Sequence, residues 1–189
     1  LTFSVSCLLE ACFIVLPYAL GDRLALFAMF SRAWAAPSFP ALVLTWAAVT
    51  AVVVLPAAVV AGYQFPLLVA LLGTREHGVG REVGLAYATN TAGAVAGALA
   101  GGFGLLPVLT ATGAWRGVVY LLVGVAAVSA MHAWRQARPA RWLALAVVLA
   151  VLDVLLCTAE GPTAFWRHTA IGAGRIETPA PGPNGVRQL

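Results

Sequence analysis

The chain has 189 residues, 61% of them hydrophobic and only 10% charged, with a mean hydropathy of +0.92 and a formal net charge of +4. A soluble domain carries about 25% charged residues, so this composition excludes an ordinary water-soluble globule and points to lipid. All eleven basic residues are Arg, spread over several loops, which excludes the dense basic face of a nucleic-acid binder and fits the orienting charges of a membrane protein.

In chain order, the first apolar run is 1–20, followed by Gly21-Asp22-Arg23 and a shorter run, 24–30. That short run cannot cross a bilayer alone, and interfacial, re-entrant and tilted-helix readings stay open for it. The second full span is 41–62. Beyond it "GYQFPLL" (62–68) carries Pro66, which is expected to break or kink the helix. Further spans read at 86–108, 117–133 and 141–159, and each of the last four spans is near the roughly 17–25 residues that cross a bilayer.

The connections are short and polar. Residues 74–84 hold two Arg, two Glu and one His; residues 132–141 hold three Arg between positions 135 and 141 and no acid. The positive-inside rule places both on the cytoplasmic side, with 31–40, 109–116 and the tail outside. The expectation is therefore an all-α, polytopic transmembrane helix bundle of about five to six helices over residues 1–160, in the inner membrane. Residues 161–189, rich in Gly and Pro, read as an irregular linker or the start of a further domain. Both ends read as cut. The first twenty residues lack a basic n-region and a cleavage site, so they are not a signal peptide.

Residues 87–107, "YATNTAGAVAGALAGGFGLLP", carry many glycines and no charge. Each helical Gly costs about 1 kcal/mol against Ala. At 100° per residue Ala86, Asn90, Gly93, Gly97, Gly101 and Gly104 fall on one stripe, with Val95, Leu99, Phe103 and Leu106 opposite. Small-residue ridges let membrane helices approach closely, so this stripe is expected to pack on a neighbouring helix. Asn90 on the same stripe reads as interhelical glue or as a substrate-facing amide.

Several stretches together carry a resemblance: "LPYALGDRLAL" (16–26), "GYQFPLL" (62–68), Val83-Gly84, and "YATNTAGAVAGALAGGFGLLPVL" (87–109). The order resembles the integral-membrane region of membrane-embedded spermidine synthase-like proteins, also described as fused major-facilitator/spermidine synthase proteins. The matching positions are Gly62, Phe65, Pro66, Val83, Gly84, Tyr87, Ala88, Asn90, Thr91, Gly93, Ala94, Gly102, Phe103, Leu105 and Pro107. The match covers residues 16 to about 110 and is weaker over 111–160.

The resemblance implies a membrane bundle followed by a synthase-like domain of Rossmann type. Such a domain transfers an aminopropyl group from decarboxylated S-adenosylmethionine to putrescine. Here the chain departs from the family. "IGAGR" (171–175) has two glycines and no convincing βαβ context, and the family's catalytic Asp residues have no counterparts. No catalytic, cofactor-binding or metal-binding residue is assigned in this chain. Decarboxylated S-adenosylmethionine would belong to the downstream domain, and any transferase activity to the full-length protein.

The polar groups inside the spans carry the remaining signal. Glu10 sits in mid-run with Thr2 and Ser6 on its side, a stripe that suits a bundle interior and a small cation such as a polyamine, or a proton. Asp153 shares a side of the last helix with Trp142, Ala146, Cys157 and Glu160. Either carboxylate also reads as a structural stitch. Asp22-Arg23 reads as an interfacial turn, and Tyr63, Trp115, Trp134 and Trp142 as an aromatic belt. Cys7, Cys12 and Cys157 read as small buried residues with no metal-ligand spacing, and no His belongs to a triad.

Three functional expectations follow. The first is a membrane anchor for a synthase-like domain that also binds or passes a small cation, with the bilayer and that downstream domain as its partners. The alternatives are a fragment of a secondary transporter and a purely structural anchor with no ligand.

Overall fold

A computed structural model describes residues 1–35, 38–72, 79–137 and 140–161. The described residues are almost entirely helical and contain no strand: α1 (Thr2–Leu20), α2 (Asp22–Ala35), α3 (Phe39–Leu72), α4 (Val79–Leu99), a π-helical turn (Ala100–Leu105), α5 (Leu106–Ala137) and α6 (Ala140–Cys157). Four stretches are long and apolar enough to cross a membrane: Thr2–Leu20, Phe39–Leu71, Gly80–Arg135 and Ala140–Cys157. The chain is thus an all-α bundle with the helices of a membrane protein. The tail 162–189, including Gly172 and Gly174, lies outside the described residues, as do His77, His168 and Pro139.

α1 is the hub. It packs against α3 on one side and against α5 and α6 on the other, while α2 packs on α3. The α1–α5–α6 contact is built from small and medium side chains. Ala11, Val15, Tyr18, Val119 and Cys157 form one buried cluster, and Cys7, Leu8, Ala126 and Ala146 form a second. Small residues bring the helix axes together where lipid is as apolar as the side chains.

Helix boundaries follow the backbone chemistry of single residues. Gly21 separates α1 from α2 with φ 52° and ψ −126°, a left-handed conformation that glycine adopts without steric cost. Its N–H donates to the Tyr18 carbonyl at 3.0 Å. Asp22 then opens α2, where a carboxylate favours the positive end of the helix dipole. The short apolar run is therefore a 14-residue helix, about 21 Å long and too short to span.

Three expectations need correction. Pro66 does not end the second span: α3 continues for 34 residues through both Pro56 and Pro66. Neighbouring helices and local adjustments let membrane helices carry proline. The loop expected at 74–84 has already become helix by Val79. The outside loop expected at 109–116 is instead a kink, because α5 runs from Leu106 to Ala137 with Thr110 at φ 62° and ψ 173°.

The chemistry before that kink explains the π-helical turn. Pro107 has no N–H to offer the Phe103 carbonyl four residues earlier, which weakens the α-helical register. The Leu106 N–H bonds the Gly101 carbonyl five residues back instead. Thr110 then leaves helical space altogether. A non-glycine residue held at positive φ costs on the order of 1–3 kcal/mol. Gly113 lies so close to the kink that an added Cβ would approach Leu109 Cβ to 3.0 Å.

The glycine stripe of α4 meets no neighbour among the described residues. Among the described residues, an added Cβ on Gly93, Gly97, Gly101 or Gly104 would meet nothing within 4 Å. Besides the π-helical turn that continues it, α4 packs on α3, and its residues from Tyr87 to Leu99 are exposed on every side. No described helix of this chain approaches the ridge closely enough to meet an added Cβ.

Candidate functional site

Glu10 is half-buried near the middle of α1. The Gln64 side-chain amide of α3 donates to its Oε2 at 2.7 Å. Of the stripe expected beside it, Ser6 is buried and Thr2 is exposed. The Ser6 hydroxyl donates to its own helix, to the Phe3 carbonyl at 2.8 Å, so it does not extend a polar path to Glu10. The stripe therefore reduces to a carboxylate and an amide facing each other across the α1–α3 seam.

Gln64 was not singled out by the sequence, because Pro66 made its surroundings read as a helix break. A signal did exist. From Ala51 to Leu72 only Tyr63 and Gln64 carry side-chain hydrogen-bonding groups, and an amide inside an apolar helix needs a partner.

Asp153 lies on the opposite side of α1. It is fully buried on α6, with Ala146 and Cys157 on the same face, as the helical spacing suggested. Trp142 and Glu160, expected on that side, are exposed. Leu149 and Ala150, one turn before Asp153, pack in one core cluster, and Leu156 and Cys157, one turn after, pack in the other. Neither Asp153 Oδ1 nor Oδ2 has a hydrogen-bond partner.

Asn90 is exposed on α4. The three intramembrane polar groups therefore do not converge: Glu10 faces α3, Asp153 faces the three-helix core, and Asn90 stands apart from both.

Polar staples hold the core together. The buried Ser4 hydroxyl donates to the Ala126 carbonyl of α5 at 2.8 Å. Trp115 Nε1 donates to the Ile14 carbonyl at 2.6 Å, in the stretch of α1 that Pro17 disturbs by removing one ladder donor. At the end of α6, Arg116 donates to the Tyr18 hydroxyl and, at 3.3 Å, to the Ala159 carbonyl. Its guanidinium also sits 5.0 Å from the Tyr18 ring centroid. A cation there complements the negative end of the α6 dipole. Gly161, at φ +67°, lies directly against the Tyr18 ring.

The three cysteines are free; Cys7 and Cys157 are buried and Cys12 is half-buried. No group of three or more metal-ligating side chains occurs among the described residues. The described residues also hold no strand. Family models, curated proteins and solved structures all give no match to this chain.

Proposed function

We propose that residues 1–160 form the membrane-embedded region of a spermidine synthase-like protein, which anchors a downstream catalytic domain and binds a small organic cation at Glu10. The motif resemblance over residues 16–110 supports the family, and the Glu10–Gln64 pair carries the ligand reading. A mid-bilayer carboxylate costs roughly 3 kcal/mol on insertion scales. Gln64 engages only one of its oxygens, Oε2, and Glu10 is half-buried, so the carboxylate is both held and reachable. A diamine such as putrescine would place one ammonium against it.

Equilibrium dialysis of labelled putrescine against the protein in lipid nanodiscs tests the ligand. Losing a charge-assisted hydrogen bond in Glu10→Gln is expected to weaken binding by about tenfold or more. Equal binding by wild type and variant removes the ligand reading. Extending the reading frame past Leu189 tests the anchor, with a Rossmann-type domain as the expected result.

One observation favours a secondary transporter as the second reading. The helices are interrupted at Gly21 and again at Ala100–Leu105 and Thr110, and discontinuous helices are a device of transporters. Concentrative uptake of the diamine into sealed vesicles would favour that reading over simple binding.

A further inference from the structure

We propose that Asp153 is a reversible proton-binding site inside the α1–α5–α6 core, separate from the cation reading at Glu10. The geometry carries this. Asp153 is 0% exposed, and both carboxyl oxygens are buried without a partner. An ionised carboxylate in that setting would bear the full cost of an unpaired buried charge, whereas a proton removes the charge and leaves a compact group that fits the core. A purely apolar contact would not need an acid there, and an interhelical stitch would give at least one oxygen a donor.

α6 packs on α1 and α5. From α1 the Cys12 thiol lies near the Asp153 carboxyl, and on α6 itself the Cys157 thiol does too. From α5, Tyr120 lies beside Cys157 and the Arg116 charge acts on it from farther away. Glu10 of α1 acts on Cys7 instead. Tyr120 is half-exposed. Asp153 has no standing hydrogen-bonded path to water, so exchange needs a local opening of the core on the side of Cys157 and Tyr120, toward the end of the bundle where Arg116, Tyr18 and Ala159 meet. On release the carboxyl O–H bond breaks, the electron pair stays on Asp153, and the proton passes to water at that end. Loading reverses each step.

The sequence makes the test clean, since Asp22 and Asp153 are the only aspartates. Protein carrying carboxyl-¹³C aspartate and the substitution Asp22→Asn leaves Asp153 as the single labelled acid. Infrared spectra in lipid vesicles should show a labelled protonated-carboxyl C=O band at neutral pH. The band should shift in heavy water and give way to a carboxylate band in alkaline buffer. Tyr120→Phe should slow the heavy-water shift several-fold without removing the band.

A labelled carboxylate band already present at neutral pH would overturn the proposal, because the group would then be ionised and solvated. So would a protonated band that neither exchanges nor titrates, because the acid would then be a locked structural group. An unchanged exchange rate in Tyr120→Phe would overturn the route.

Discussion

The α1–α5–α6 core and the α4 rod solve the same problem differently. Both are apolar helices with small residues at helical spacing. In the core the small residues Cys7, Ala11, Ala126, Ala146 and Cys157 are buried against one another, and Ser4, Trp115 and Arg116 staple the helices with hydrogen bonds. In α4 and the turn after it, the ridge of Gly93, Gly97 and Gly101 meets no neighbour among the described residues, and the Thr89 and Thr91 hydroxyls bond back to their own helix. A small-residue ridge permits close approach, but it does not decide which helix arrives. In this chain the arrangement goes with directional polar contacts and with the connections between helices.

The sharpest way to break that contrast is to add bulk on each side. Ala126→Leu inserts three carbons into a site that is 1% exposed and is expected to destabilise the bundle by about 2–3 kcal/mol. Gly97→Leu should leave the isolated chain's stability unchanged or raise it by up to about 1 kcal/mol, since leucine is the better helix former. Unfolding in mixed micelles reads both. Comparable losses at the two positions would show that the α4 ridge is packed as tightly as the core.

Gly161→Ala tests the far end of the core. Its Cβ would lie 2.6 Å from the Tyr18 ring at a positive φ, and a loss of about 1–3 kcal/mol is expected. Smaller still is Ser4→Ala, which removes one interhelical hydrogen bond and should cost about 0.5–1 kcal/mol. Thr89→Ala, which loses only a bond within α4, should stay within about 0.5 kcal/mol of wild type. A Ser4→Ala effect no larger than that of Thr89→Ala would remove the hydroxyl from the account.

Much of the architecture was legible in the residues. The first span read as 1–20 is α1, Thr2–Leu20, and the last, read as 141–159, is α6, Ala140–Cys157. Uninterrupted apolar runs fix such helices by length alone. The proline and glycine regions were less legible, because their effect depends on what surrounds them. Pro66 sits inside a continuous helix, while Pro107 accompanies a π-helical turn and a kink at Thr110.

The site was legible one residue at a time. Helical spacing placed Asp153 with Ala146 and Cys157 on a buried face. It could not pair Glu10 with Gln64 across 54 positions, because a tertiary contact leaves no local periodicity. Trp115 was expected at a span end as a belt residue, and its bond to the Ile14 carbonyl was equally invisible to a local reading.

The central claim is that α1 is clamped against α5 in the membrane, while among the described helices α4 packs on α3. Disulfide trapping in native membranes tests it most directly. In a background with Cys7, Cys12 and Cys157 replaced by Ala, the pair Ser4→Cys and Ala126→Cys should cross-link rapidly under mild oxidant, because these positions touch. The pair Ser4→Cys and Gly97→Cys should not form an intramolecular bond. Failure of the first pair together with efficient trapping of the second would contradict the arrangement of helices described above.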